Sequence, residues 1–276
     1  MAKTTPPPRV NILEALPELA HQTVTTIRLH PRRGEFLDPA ASKIGGLFLW
    51  PEDEPWPTMP SKRPEWWSGI RGEWELLDGT PIPLVPVLQI NARDVPDFPF
   101  PPGQDLMQLL WYPLDGDEPP YFCIPRVFWR NSTTITKSLT IMPLSPYADT
   151  IYVPHPCTLT FERVIEYPHI EDLSEEQFNR FKGWFETKNI ECDEYAEDEC
   201  ASSMYQFELS VCPGSKLGGY VAWIQRIEWQ TCGSCGQQME HLLSLTDIEL
   251  DGGTLAAVRG LRIMGTGSLW RITKRS

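Results

Sequence analysis

Apolar positions along this chain change their period several times, and each change marks an element. Between residues 11 and 20 the order Asn-Ile-Leu-Glu-Ala-Leu-Pro-Glu-Leu-Ala predicts a short helix capped by Asn11. Pro17 should end or bend it, because proline lacks the amide donor that a helix interior needs. Residues 24–29 alternate in twos, the period of a half-buried strand. The apolar run 84–90 and β-type runs at 106–112, 121–129, 133–142 and 158–163 follow, separated by prolines and Asp-Gly pairs, so the middle of the chain reads as β-rich. After Ser174 the period lengthens to that of a helix. Ser174 and Gln177 fit a capping box, and Phe178, Phe181, Trp184 and Phe185 fall on one face, which predicts core contact. Residues 207–211 alternate as another strand, 239–245 form a second apolar run, and 269–272 are short enough to be a closing strand. Residues 57–83 interrupt the pattern with Trp66, Trp67 and Trp74 among glycines and charges, which predicts a long surface excursion.

One segment occurs twice. Ser42-Lys43-Ile44-Gly45-Gly46-Leu47-Phe48-Leu49-Trp50 returns as Ser215-Lys216-Leu217-Gly218-Gly219-Tyr220-Val221-Ala222-Trp223, and a further tryptophan stands six residues after each, Trp56 and Trp229. Two copies with an apolar run behind each predict a fused duplicate folded as one globular body with internal pseudo-duplication, since a solenoid needs more and closer repeats. A glycine pair beside an aromatic is first a backbone device, permitting positive φ and close approach of another segment. Read as a ligand site instead, Lys43 and Lys216 would be paired cationic contacts in a cleft between the halves, with Gly45, Gly46, Trp50, Gly218, Gly219 and Trp223 around them.

The ordered segments SKIGGLFLWPEDEPWP, PLVPVLQINARDVP, GSKLGGYVAWIQ, CGSCGQQMEHLLSLTD and MGTGSLWRI resemble the YwqG-like family, also called DUF1963. The resemblance runs from about Arg28 to the C-terminus. It implies a compact, β-rich α+β domain over residues 23–276, preceded by an N-terminal tail and short helix at 1–22. It brings no catalytic residues with it. Some members stand in bacterial gene neighbourhoods with polymorphic toxins and their immunity proteins, which implies a protective, protein-binding role. The terminal motif often has an aspartate before its last glycine, and here Thr266 takes that place.

Length and charge narrow the classes. The chain has 276 residues, enough for one large domain or two small ones, and the repeat favours one. With 41% apolar residues, eleven tryptophans and no long apolar run, it reads as a soluble globular protein without a membrane span. One lysine and three prolines near the N-terminus do not make a signal peptide, so a cytoplasmic location is expected. A net charge of −13 argues against nucleic acid as partner. Residues 171–200 hold eleven acids against three bases. Such a run is a solvated face or a surface that docks a basic protein, with Glu194, Glu197, Asp198 and Glu199 its densest part. Trp66 and Trp67 form a second candidate patch.

Cys232-Gly233-Ser234-Cys235-Gly236 is the strongest chemical feature. Two cysteines on a glycine-assisted turn can offer both thiolates to one tetrahedral ion, which makes half a zinc site. Cys192, Cys200, Cys212 and His241 are the candidates to complete it, none at a diagnostic spacing; an unmetallated turn and a redox pair are the alternatives. Redox chemistry is the least favoured, because no helix follows Cys235 to stabilise a thiolate. Seven cysteines, an odd number, point to reduced thiols or a metal rather than a disulfide scaffold. Gly-x-Ser-x-Gly elbows, phosphate loops and dinucleotide fingerprints do not occur. The five histidines read as surface or hydrogen-bonded residues, and Glu52, Asp53 and Glu54 as an exposed turn. The expected function is therefore non-enzymatic binding, of the immunity type, directed at a basic toxin. The alternative is a small-ligand receptor or enzyme with a cleft between the repeats, with zinc as a cofactor.

Overall fold

The computed structural model describes residues 5–34, 37–62, 79–114, 124–188, 190, 199–212, 214–223 and 229–246, and the backbone of 267–271. Its strands in chain order are β1 (Val24–Arg33), β2 (Lys43–Ile44), β3 (Thr58–Pro60), β4 (Pro81–Pro83), β5 (Val85–Asn91), β6 (Leu106–Trp111), β7 (Pro125–Arg130), β8 (Cys157–Glu166), β9 (Lys216–Leu217), β10 (Glu240–Leu245) and β11 (Gly267–Arg271). Two α-helices are described, α1 (Glu175–Glu186) and α2 (Cys200–Met204). The chain is thus β-rich with antiparallel pairing.

Contacts divide the described chain into two compact units. Unit 1 comprises Met1–His30, Phe161–Asp251 and Gly265–Ser276; unit 2 comprises Pro31–Thr160 and Gly252–Met264. The chain passes from one to the other within β1 and within β8.

In unit 2 the strands lie in the order β1-β8-β2-β5-β6-β7. β5 is buried along its whole length, polar Gln89 and Asn91 included, so it reads as an unbroken apolar run rather than an alternation. β3 and β4 pair through Met59 and Ile82 and close the 57–83 excursion at its base. Residues 63–78, with Trp66, Trp67 and Trp74, lie outside the described residues. Phe48, Trp50, Ile82, Leu84 and Leu110 form the core here.

In unit 1 the order is β11-β10-β9-β1-β8. The N-terminal segment contributes to its core, with Ile12, Leu16 and Leu19 packed with Phe181, Phe185 and Tyr205. The expected helix at 11–20 is two 3₁₀ turns, Ile12–Glu14 and Pro17–His21; Asn11 caps the first and Pro17 starts the second. Around α1 the capping box is complete, each of Ser174 and Gln177 bonding the other's backbone amide.

Two expected strands are absent. Residues 207–210 belong to a π-helical turn, Tyr205–Ser210, that continues α2, and Val211 is its extended C-cap. Ala201, Met204, Tyr205 and Leu209 are all buried, at helical spacing, so the inward face follows the helix period and leaves Phe207 exposed. At 133–142 the carboxylate of Asp105 takes the amide and hydroxyl of Ser132 (2.5 and 2.7 Å) and Asn131 takes the amide of Thr133 (3.0 Å). Those local bonds set a 3₁₀ turn, Ser132–Thr134, and only a single bridge from Ser138 to Pro51 follows.

Candidate functional site

The two repeat blocks are laid down by β2 and β9, each a two-residue strand with a neighbour on either side. β2 sits between β5 and β8 in unit 2, and β9 between β10 and β1 in unit 1. On both central strands the lysine side chain points into the packed interior, and Lys43 and Lys216 are fully buried. A buried ammonium needs acceptors inside the fold. Lys43 Nζ donates to the carbonyls of Asp38 (2.6 Å) and Pro39 (2.8 Å), and the amide of Gln89 pins the same loop through Pro39 and Ala41. Burial lowers the Lys43 ammonium to about 8, opposed by the charge of Asp38.

Lys216 Nζ donates to the carboxylate of Glu166 (2.5 Å) and the carbonyl of Tyr220 (2.6 Å). Glu166 also accepts the amides of Cys212 (2.8 Å) and Tyr220 (2.7 Å). Burial pushes the Glu166 carboxyl up and the Lys216 ammonium down, and in each the opposite charge of the partner works the other way. Four hydrogen bonds, one within the ion pair and three to backbone groups of Cys212 and Tyr220, make this a closed structural knot, both side chains being fully buried.

The glycines after each lysine hold left-handed backbone, Gly45 and Gly46 at φ 58° and 70°, Gly218 and Gly219 at 65° and 78°. Two of them also have no room for a side chain. A Cβ on Gly45 would stand 2.8 Å from the carbonyl oxygen of Pro154, and one on Gly219 would overlap Glu166. The block tryptophans differ in depth: Trp50 is buried, Trp223 half-buried, and their ring partners Trp56 and Trp229 lie at centroid distances of 4.7 and 5.7 Å. His241, behind the second block, faces the carbonyls of Gly218 and Gly219 with Nδ1 (3.0 and 3.2 Å) and Ser244 Oγ with Nε2 (2.8 Å). Nδ1 therefore carries the proton. Burial, helped by the charge of Lys216, lowers this imidazole to about 4.

Cys232 and Cys235 sit in a tight hairpin, closed by a bridge between Thr231 and Gln238 and by Gly236 at φ 68°. The amide of Ser234 donates to Cys232 Sγ at 3.4 Å. Of the residues expected to complete a metal site, Cys212 is buried near Glu166, His241 is engaged as above, and Cys200 is disulfide-bonded rather than a thiol; Cys192 lies outside the described residues. Among the described residues no group of three or more His, Cys, Asp or Glu is placed to hold an ion.

Of the expected partner surface, Glu199 is exposed, while Glu194, Glu197, Asp198, Trp66 and Trp67 lie outside the described residues. Glu171, Asp172, Glu175, Glu176 and Glu186 are exposed on α1 and the segment leading into it, whereas Phe181 and Phe185 of the same helix are buried. No helix among the described residues is long and apolar enough to cross a membrane.

The sequence profile of a domain of unknown function, DUF1963, matches residues 42–254, from the first block through the second and past the cysteine hairpin. The chain belongs to the DUF1963 family. It matches none of the curated proteins. The family description carries no activity, so the chemistry of this DUF1963 chain has to be read from its own residues.

Sequence reading missed several polar residues that matter here. Glu166 is the partner of Lys216, yet nothing local marks it among 37 acids. In unit 2, Gln89, Gln108, Arg130 and Glu54 form a chain of side-chain bonds: Gln108 to Gln89 (2.8 Å), Arg130 to Gln108 (2.9 Å), and Arg130 to both oxygens of Glu54 (2.5 and 2.6 Å). The Arg130 guanidinium also lies 4.0 Å from the Trp50 ring centroid. Glu54, expected in an exposed turn, is therefore part of the first block's packing, while Glu52 and Asp53 are exposed. The available signal was Gln89 inside an apolar run, since a polar residue there needs partners.

Proposed function

We propose that this DUF1963 chain is a cytoplasmic, non-enzymatic binding protein, made by duplication of one unit, that occupies a basic toxin in the manner of an immunity protein. The observation that carries the reading is the division of labour on α1 and its lead-in. The aromatic face is committed to the core, and Glu171, Asp172, Glu175, Glu176 and Glu186 are left in solvent, with the acidic run 191–199 following them in the sequence. A concentrated carboxylate surface accelerates encounter with a basic partner and fixes its orientation.

The duplication is supported by matched detail in the two blocks. Ser42 Oγ accepts the amide of Asn91 (2.8 Å) and Ser215 Oγ that of Thr246 (3.2 Å). Gly45 donates to Val87 (2.9 Å) and Gly218 to Leu242 (2.8 Å). A serine, a buried lysine and two left-handed glycines thus hold the same places on two central strands. The ligand-cleft alternative needs both lysines to reach a ligand, and each instead donates to groups of its own unit.

The test is protection. Cells making a toxin encoded beside this gene should grow when supplied with the wild-type chain. They should not grow with a variant carrying Glu194→Lys, Glu197→Lys, Asp198→Lys and Glu199→Lys that keeps the wild-type circular dichroism. Equal protection by that variant, or no toxin gene beside this one, sinks the reading.

A further inference from the structure

We propose that Cys232 and Cys235 are half of a tetrathiolate zinc site that a second copy of the chain completes, so that one ion joins two chains. The hairpin that carries them has the geometry of a metal-binding knuckle. The Cys232 amide donates to Gln237 (2.8 Å), the Gly236 amide to the Cys232 carbonyl (2.8 Å) and the Met239 amide to Gln230 (2.8 Å), which turns the chain tightly around the two thiols. Gly236 at φ 68° permits the turn, as glycine does where other residues are strained. The Ser234 amide points at Cys232 Sγ, a contact that favours sulfur carrying negative charge.

Ligand count and exposure then decide where the other half comes from. Structural zinc takes four tetrahedral ligands, and this hairpin supplies two. From residue 229 to 238 every residue but Cys232 is exposed, and Cys232 itself is half-buried, so among the described residues no other part of the chain packs over the sulfurs. Cys212 and His241 are buried in their own hydrogen-bond networks, and Cys200 is disulfide-bonded. A second identical hairpin brings two more thiolates in the self-complementary way that two-fold pairs use. Residues 230–239 carry no charged side chain, so two hairpins approach without repulsion. Trp229 at the base of the hairpin is 42% exposed and offers apolar surface for the second chain to cover. Binding exchanges four thiol protons for one zinc ion; no electrons move, and the ion is the only co-reactant.

The experiment is native mass spectrometry of the full chain, purified under reducing conditions without chelator and titrated with zinc. The expected species is two chains with one ion, about 0.5 zinc per chain. A chelator should return it to monomer. Cys232→Ser and Cys235→Ser should each give monomers without zinc, with circular dichroism unchanged because the hairpin is exposed. Cobalt in place of zinc should give the absorption of a tetrahedral tetrathiolate on the wild-type dimer, a readout that does not depend on the variants folding. One zinc held by a single chain, a dimer that survives chelation, or a monomer that takes no zinc would each overturn the proposal.

Discussion

Gly218 and Gly219 are neighbours with nearly the same left-handed backbone, and alanine in either place should reveal how much the space around them matters. The backbone cost is shared, about 1–2 kcal/mol for an L-residue in this region. The surroundings are not shared. A Cβ on Gly218 meets nothing within 4 Å. One on Gly219 overlaps the Glu166 carboxylate and stands 2.8 Å from Thr26 Cβ and Oγ1. Thr26 cannot yield cheaply, since its hydroxyl bonds the carbonyls of Leu217 and Gly218 (3.1 and 3.3 Å). Glu166 cannot yield either without releasing two amides and the buried ammonium of Lys216, and breaking a buried ion pair costs about 3–5 kcal/mol. Gly218→Ala should therefore lose about 1–2 kcal/mol, and Gly219→Ala at least about 4 kcal/mol. Urea unfolding followed by tryptophan fluorescence, with zinc and pH held fixed, measures both. In the first block the order should reverse, because Gly45 faces the Pro154 carbonyl at 2.8 Å while Gly46 has 3.6 Å to Pro156. Equal losses for Gly218→Ala and Gly219→Ala would refute the reasoning.

Glu166→Ala should destabilise by about 3–5 kcal/mol in the same assay, since it strands Lys216 and two amides in the interior, and a loss under about 1 kcal/mol would contradict the buried-pair description. His241 supplies a pH dependence. Its folded pKa is depressed from 6.5 to about 4, so the neutral ring is favoured by folding, and the stability it gives is complete above 6.5 and lost as pH falls toward 4. The loss amounts to up to about 3 kcal/mol. His241→Gln should flatten this limb of the stability curve, and an unchanged slope would exclude His241 as its source.

What the sequence made legible was local. Ser174 and Gln177 announce α1 because a capping box needs only residues three apart, and the phenylalanines at helical spacing identify the buried face. The paired blocks were visible because left-handed glycines and a following aromatic are residue-type requirements. What stayed hidden depends on distant partners. Lys43 resembles a surface cation until the Asp38 and Pro39 carbonyls close over it, and Glu166 is one carboxylate among many until the β8 register sets it beside Lys216. The strand expected at 207–211 failed because alternation over five residues fits a helix as well, and α2 immediately before it propagates a helix at less cost than starting a strand. The hairpin of Cys232 and Cys235 was readable, but exposure, which says what can complete it, is a property of the whole chain.

The central claim is that the two blocks are packing devices whose lysines serve the fold, leaving interaction to the exposed surface. Amine acylation of the native protein, read by mass spectrometry, tests it most directly. Lys137 and Lys182 are exposed and should label fast, whereas Lys43 and Lys216 should label at least about a hundredfold more slowly, waiting on opening of the fold. The contrast is sharpened at Lys43, whose ammonium lowered to about 8 would make it the more reactive amine if reagent could reach it. Urea-unfolded protein should label all four alike. Native labelling of Lys43 or Lys216 at the rate of Lys182 would contradict the account and return both lysines to candidacy as ligand contacts.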